Sequence, residues 1–176
     1  MATSLVLTFI GDDRPGLVNA IAETVAGNGG TWLESRLAHL AGKFAGIVLV
    51  SVPEAQVDGL SAALRGLDAR GLRVSAERGA GAAATAGARV LHLAVLGAER
   101  PGIVRDVTQA LTGLGVNIED FTSGVEGEPF TGRQMFRASA RLGVPDSVGD
   151  ETLRMTLERL AGEIMVDLAV KEAQVR

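Results

Sequence analysis

A strand-like run that turns through Gly-x-x-Arg-Pro-Gly into a helix-like run occurs twice in this chain. That repetition narrows what the chain can fold into more than any other feature. The first copy is Gly11-Asp12-Asp13-Arg14-Pro15-Gly16-Leu17-Val18 and the second is Gly97-Ala98-Glu99-Arg100-Pro101-Gly102-Ile103-Val104. The apolar runs Leu5–Ile10 and Leu91–Leu96 precede them. The offset of 86 residues, from Arg14 to Arg100, also places Leu5 on Leu91, Leu7 on Leu93, Gly27 on Gly113 and Gly29 on Gly115. Conservative pairs continue the match: Leu17 with Ile103, Ile21 with Val107, Thr31 with Asn117 and Glu34 with Asp120. An internal duplication accounts for this, with one unit over residues 1–78 and another over 89–176. Between them, residues 79–88 are small and featureless and read as a linker.

Within the first unit, Leu5–Ile10 reads as a strand, and Leu17, Val18, Ile21, Ala22 and Val25 form an apolar face at helical spacing. Gly27, Gly29 and Gly30 stop that helix. Strands follow over Thr31–Ala41 and Phe44–Val52, with a hairpin turn expected at Gly42-Lys43. Pro53-Glu54 opens a second helix carrying Val57, Leu60, Leu64 and Leu67, and Leu72, Val74 and Ala76 alternate as a last strand. The second unit repeats the order. A strand over 89–96 leads to a helix over 101–114 with Ile103, Val104, Val107, Leu111 and Leu114 facing inward. Strands over 116–125 and 134–142 flank a loop over 126–132. A helix over 149–160 has Leu153, Leu157 and Leu160 on its inner face, and Ile164, Val166, Leu168 and Val170 form the final strand. Strand-helix-strand-strand-helix-strand is the split βαβ order. The expected class is therefore α+β: two ferredoxin-like βαββαβ units, each a four-stranded antiparallel sheet with two helices on one face.

Composition removes several functions. Hydrophobic residues make up 47% of the 176 residues but aromatics only 3%, so the core is aliphatic and there is no stacking platform for bases. A net charge of −4 with dispersed arginines argues against direct nucleic-acid binding. Without cysteine there are no disulfides, thiolate metal sites or Cys nucleophile. No apolar run approaches the roughly 20 residues of a membrane span, so no membrane association and a cytoplasmic location are expected. The glycines of the linker lack the Lys-Ser/Thr of a phosphate-binding loop, and no cofactor is expected. His39 and His92 lie in strand-like runs without a partner motif and read as structural. No paired-carboxylate, His-Glu-x-x-His or Gly-x-Ser-x-Gly pattern is present. No catalytic residue is assigned, and the chain reads as a non-enzyme. Asp12-Asp13 read as a helix cap in preference to metal ligands, because no further ligands follow at suitable spacing.

The turns favour binding. Proline is tolerated in a first helical turn, and glycine beside it leaves the first amides uncovered at the positive end of the helix dipole. The carboxylate of an amino acid fits against Gly16, Leu17 and Val18, or against Gly102, Ile103 and Val104. Its ammonium needs acceptors, for which Asp12, Asp13 and Glu99 are candidates. Thr31 and Asn117 are polar at the start of the next strand and can add hydrogen bonds. The competing reading of Arg-Pro-Gly is a stable strand-to-helix connection and nothing more, and that of Trp32 is packing.

The octet Gly11–Val18, followed by Gly29-Gly30-Thr31-Trp32-Leu33-Glu34-Ser35-Arg36-Leu37-Ala38, resembles an ACT domain. The tandem arrangement is similar to the glycine cleavage system transcriptional repressor group. That resemblance implies a ferredoxin-like fold, ligands at interfaces between units and regulation by a small amino acid such as glycine or serine. It places the ligand contacts at Asp12, Asp13, Arg14, Pro15, Gly16, Leu17, Val18, Thr31 and Trp32. In the second unit they fall at Ala98, Glu99, Arg100, Pro101, Gly102, Ile103, Val104, Asn117 and Ile118. It implies action through a protein partner, such as a transcription factor, in place of DNA. The alternative is a detached regulatory subunit of an amino-acid or one-carbon metabolic enzyme. The two copies depart from each other where Ala98-Glu99 replaces Asp12-Asp13, and Thr31 stands where Asn is commoner. An exposed sheet face or edge leaves room for a homodimer.

Overall fold

The computed structural model describes residues 1–79, 88–128, 131–159 and 164–170. Its two units are Met1–Ala83 and Ala84–Arg176. Most of the expected linker and Leu160 lie outside the described residues. In the first unit, β1 (Ala2–Asp12) leads to α1 (Leu17–Gly27), then β2 (Thr31–Leu40), β3 (Lys43–Pro53), α2 (Val57–Arg65) and β4 (Leu72–Arg78). The second runs β5 (Ala88–Ala98), α3 (Ile103–Gly113), β6 (Asn117–Gly127), β7 (Gln134–Pro145), α4 (Asp150–Arg159) and β8 (Ile164–Val170). Each sheet is antiparallel, ordered β2-β3-β1-β4 and β6-β7-β5-β8. The fold class is α+β and ferredoxin-like, as the element order predicts.

Alternation on β1 sends Leu5, Leu7 and Phe9 to one face, where they meet Val48, Val50 and Val52 of β3. Leu17, Ile21 and Val25 of α1 and Leu60 and Leu64 of α2 close over them. The second core repeats this with Leu91, Leu93 and Val95 under Ile103, Val107, Leu111, Leu153 and Leu157. Among the described residues no polar side chain is buried. At the far end of the first sheet, Glu54 accepts hydrogen bonds from Arg78 and from the Thr3 hydroxyl, tying the start of β1 to the end of β4. Those donors hold its carboxyl down at about 2.

The duplication is visible in the backbone. The β1–α1 bounds recur 86 residues on in β5–α3, and a bulge interrupts the second strand between Trp32 and Glu34 and again between Ile118 and Asp120.

Several local expectations are corrected. Val18 and Val104 do not join the inner helix faces but are 38% and 40% exposed. A helix lying on a sheet buries a narrow stripe, here Leu17, Ala20, Ile21 and Val25, and Val18 falls beside it. Ala22 and Leu114 are half-buried at the edge of their stripes. The first hairpin turns at Ala41-Gly42, not Gly42-Lys43, with Leu40 opposite Lys43. Both turn residues have positive φ (50° and 75°), the twist that suits a two-residue loop. The second helix of the first unit is α-helical only over Val57–Arg65, with 3₁₀ turns at Glu54–Gln56 and Gly66–Arg70. β6 and β7 extend to Gly127 and Pro145, longer than the alternation alone indicates.

Close packing at one glycine gives a direct test of the first core. A Cβ on Gly46 would stand 2.5 Å from Leu37 Cδ2, 2.8 Å from the Arg36 carbonyl oxygen and 2.9 Å from Phe9 Cζ. Gly46→Ala is expected to lower unfolding stability by ~1–3 kcal/mol. Gly27→Ala, where a Cβ meets open space, is expected to raise it by ~0.4–1 kcal/mol. Urea unfolding of both variants checks the pair.

Candidate functional site

β1 ends at Asp12, and the chain must reverse within a few residues to lay α1 on the sheet. Gly16 makes that reversal as the N-cap, at φ 92°, a conformation L side chains rarely adopt. Gly102 does the same at φ 86°. Neither helix has a side-chain cap, so the expected Asp12-Asp13 cap is not formed. The first intrahelical bond, from the Ala20 N–H to the Gly16 carbonyl, leaves the preceding amides of the turn without intrahelical partners. A helix start of this kind attracts an anion through its amides and dipole.

The hairpin β2–β3 stands beside the first turn, where the Asp13 N–H donates to the Gly42 carbonyl at 3.0 Å. Asp12 is hydrogen-bonded to the Lys43 ammonium. That bond and the charge on Lys43, with a smaller contribution from Arg14, lower its carboxyl below the usual value. Asp13 Oδ2 lies 3.6 Å from His39 Nε2. The Arg14 guanidinium reaches across to the Arg70 carbonyl. Arg14, Pro15, Gly16, Leu17 and Ala20 face Leu67, Arg70 and Leu72 around a recess of about 70 Å³. Leu17 is buried, and Val18 is exposed on the outer side of the helix start.

In the second turn the Glu99 N–H donates to the Gln134 carbonyl at 3.0 Å. Ala98 ends β5, Pro101 is exposed, Ile103 is buried and Val104 is exposed. Here Arg100 Nη1 donates to Asp106 Oδ2 at 2.8 Å, and Arg105 Nη2 to Asp106 Oδ1 at 2.8 Å. The hydrogen bond from Arg100, then that from Arg105, holds the Asp106 carboxyl below its ordinary value.

The remaining expected contacts lie elsewhere. Along β3, Phe44 pairs with Gly11 and His39, whereas Ser51 pairs with Ser4 and Thr31. At about 3.4 Å per residue, the turn and Thr31-Trp32 sit at opposite ends of the sheet, too far apart for one small molecule. Asn117 pairs with Gly143 and Ile118 with Leu142, at the equivalent end of the second sheet. Trp32 is half-buried against the first core, and Ile118 against the second. Each unit thus keeps its turn together and separates it from its own second-strand start.

His39, Lys43, Arg70, Arg105 and Asp106 border the turns without having been marked by the sequence reading. For Asp106 a signal exists: the offset places a carboxylate where the first unit has the buried Ala20. The others arrive through tertiary pairing. Among the described residues, no three His, Asp or Glu gather as a metal site, and no helix is long and apolar enough to cross a membrane.

Models of the ACT domain match residues 3–76 and 92–152, one in each unit. The chain is a tandem ACT-domain protein. It is 32% identical to a phosphoserine phosphatase of Mycobacterium tuberculosis, over 96% of this chain and 41% of the phosphatase. The chain therefore spans about two fifths of the length of that curated relative. Among solved structures, an unknown protein from Galdieria sulphuraria is similar at TM-score 0.79 and 29% identity, covering 96% of this chain and 98% of that one. A candidate glycine cleavage system transcriptional repressor shares the fold at TM-score 0.70 and 18% identity, covering 97% of this chain and 99% of that one. ACT domains support a regulatory, amino-acid-binding role for this protein.

The ion pairs at the second ACT turn predict a pH response. Asp106 has a folded-state value below the ordinary 3.8. Its pairs therefore add stability above that ordinary value, and the contribution is lost as pH falls through the lowered one. Carboxyl-carbon NMR is expected to place the Asp106 midpoint below 3.8, and Arg100→Ala is expected to move it back upward.

Proposed function

We propose that this ACT protein is a non-enzymatic regulator that binds a small amino acid, glycine or serine, and passes occupancy on to a protein partner. The observation that carries the reading is the first turn. Gly16 and Leu17, at the uncapped start of α1, and Arg14 line one small recess, and Asp12 and Asp13 precede them in the same turn without lining it. A carboxylate suits the uncapped helix start and the guanidinium; Asp12 and Asp13, which face Lys43 and His39 on the hairpin side, are the acceptors the turn offers an ammonium. One helix-terminus contact contributes only ~0.3–2 kcal/mol, so useful affinity draws on several of these groups together. Thr31 or Asn117 can add to them only from another ACT sheet, as a homodimer would provide. Ligand binding then biases the geometry of the assembly and so its contact with the partner. A cytoplasmic setting suits a sensor of free amino acids, and the net charge of −4 suits a protein partner better than nucleic acid.

The shared fold with a candidate glycine cleavage repressor favours a transcription factor as partner. The identity of 32% to a phosphoserine phosphatase supports a second reading, a regulatory subunit for an enzyme of amino-acid or one-carbon metabolism. Capture of partners from cell extract separates the two by whether a transcription factor or an enzyme is retained.

Thermal unfolding with each of the twenty amino acids tests the binding itself. At 100 times Kd, a specific ligand adds about 2.7 kcal/mol, and the unfolding midpoint is expected to rise with glycine or serine. Gly16→Val, which places a β-branched side chain at φ 92° beside the amides, is expected to remove the rise. If none of the twenty moves the midpoint, the sensor reading falls.

A further inference from the structure

The two turns share a backbone and differ in what stands over it. In the first, Asn19 turns along the helix, its Nδ2 donating to Glu23 Oε1 at 2.8 Å, and Ala20 carries no polar group. A Cβ built on Gly16 meets nothing within 4 Å among the described residues. In the second, the corresponding residues are Arg105 and Asp106. The Asp106 carboxylate takes Arg100 on one oxygen at 2.8 Å and Arg105 on the other, through Nε at 3.0 Å and Nη2 at 2.8 Å. Its side chain is only 20% exposed, and the Arg105 guanidinium lies over the turn glycine, with Nη2 3.3 Å from a Cβ built on Gly102.

We infer that Asp106 is a built-in carboxylate that takes up the arginine of the second turn and so competes with free carboxylate ligands there, leaving the first turn as the one open to them. Arg100 corresponds to Arg14, the guanidinium that borders the open recess. In the second unit that guanidinium already holds an anion supplied by its own helix, an intramolecular partner with which a free amino acid must compete. The added Arg105 grips the same carboxylate from the other side. A competing ligand must break both charge-assisted contacts and leave the partly buried Asp106 unpaired, which is unfavourable. The lowering of the Asp106 carboxyl by these two arginines is the electrostatic counterpart of the same pairing. The first unit alone then responds to amino-acid concentration.

This inference rests on the amino-acid-binding reading, and titration calorimetry separates the two. Glycine, and then serine, is titrated into the wild-type chain and into R105N/D106A, which writes the first unit's Asn19-Ala20 pair into the second. D106N keeps the shape of the side chain and serves if the double variant does not fold. The expected result is one equivalent per wild-type chain, lost in Arg14→Ala, which removes the guanidinium from the recess and leaves the left-handed Gly16 in place, and two equivalents per chain in the opened variant. Two equivalents in the wild type, one of them removed by Gly102→Val, would overturn the inference and leave the sensor reading standing. Binding to the opened variant with none to the wild type would support competition at the second turn and contradict ligand binding at the first. Absence of binding in every protein with both amino acids would overturn both.

Discussion

A left-handed glycine at the start of the first helix of each unit is the constraint on which the rest of the structure depends. The central strand delivers its last residue at the sheet edge, and the helix must come back over the same sheet. Gly16 and Gly102 make that reversal at φ 92° and 86°. With the reversal made, Leu17, Ile21 and Val25, or Ile103, Val107 and Leu111, fall onto the leucines of the strand beneath. The same glycine supplies no side-chain cap, and α1 begins with amides that have no intrahelical acceptor.

Duplication has preserved this backbone and altered the chemistry around it. β1 and α1 recur with the same bounds in β5 and α3, and the bulge in the second strand recurs at the same register. The hairpin beside the turn does not: Leu40 faces Lys43 across two residues, whereas Gly127 faces Gln134 across six. Lys43 therefore reaches Asp12 in the first unit, and the residues that shape the second turn come from its own helix.

Much of the fold was legible because it rests on local rules. Strand alternation, helical spacing and turn glycines act within a few residues, and the repeat supplied a second reading of each element. Val18 and Val104 escaped because an apolar residue at the start of a helix satisfies the spacing rule whether or not the sheet lies beneath it. The hairpin turn was displaced by one residue because Ala41 adopts a positive φ of 50°, which its side chain does not advertise. At the site, the turns were readable from Arg-Pro-Gly, while their surroundings were not. Pairing of Asp12 with Lys43, of Asp13 with His39 and of Arg14 with the Arg70 carbonyl depends on strand register and on where α2 ends. The separation of Thr31 from the turn likewise follows from register, because β1 and β2 run in the same direction on either side of β3.

In the proposed function the amides at the start of α1 receive the carboxylate of an amino acid. Backbone amide NMR during a glycine titration measures this at the atoms concerned. The first and largest saturable shifts are expected at Gly16, Leu17 and Val18, with the Arg14 side chain moving alongside them. Saturable shifts confined to the exposed sheet residues Ile10 and Ile47, with the turn amides unmoved, would contradict this reading.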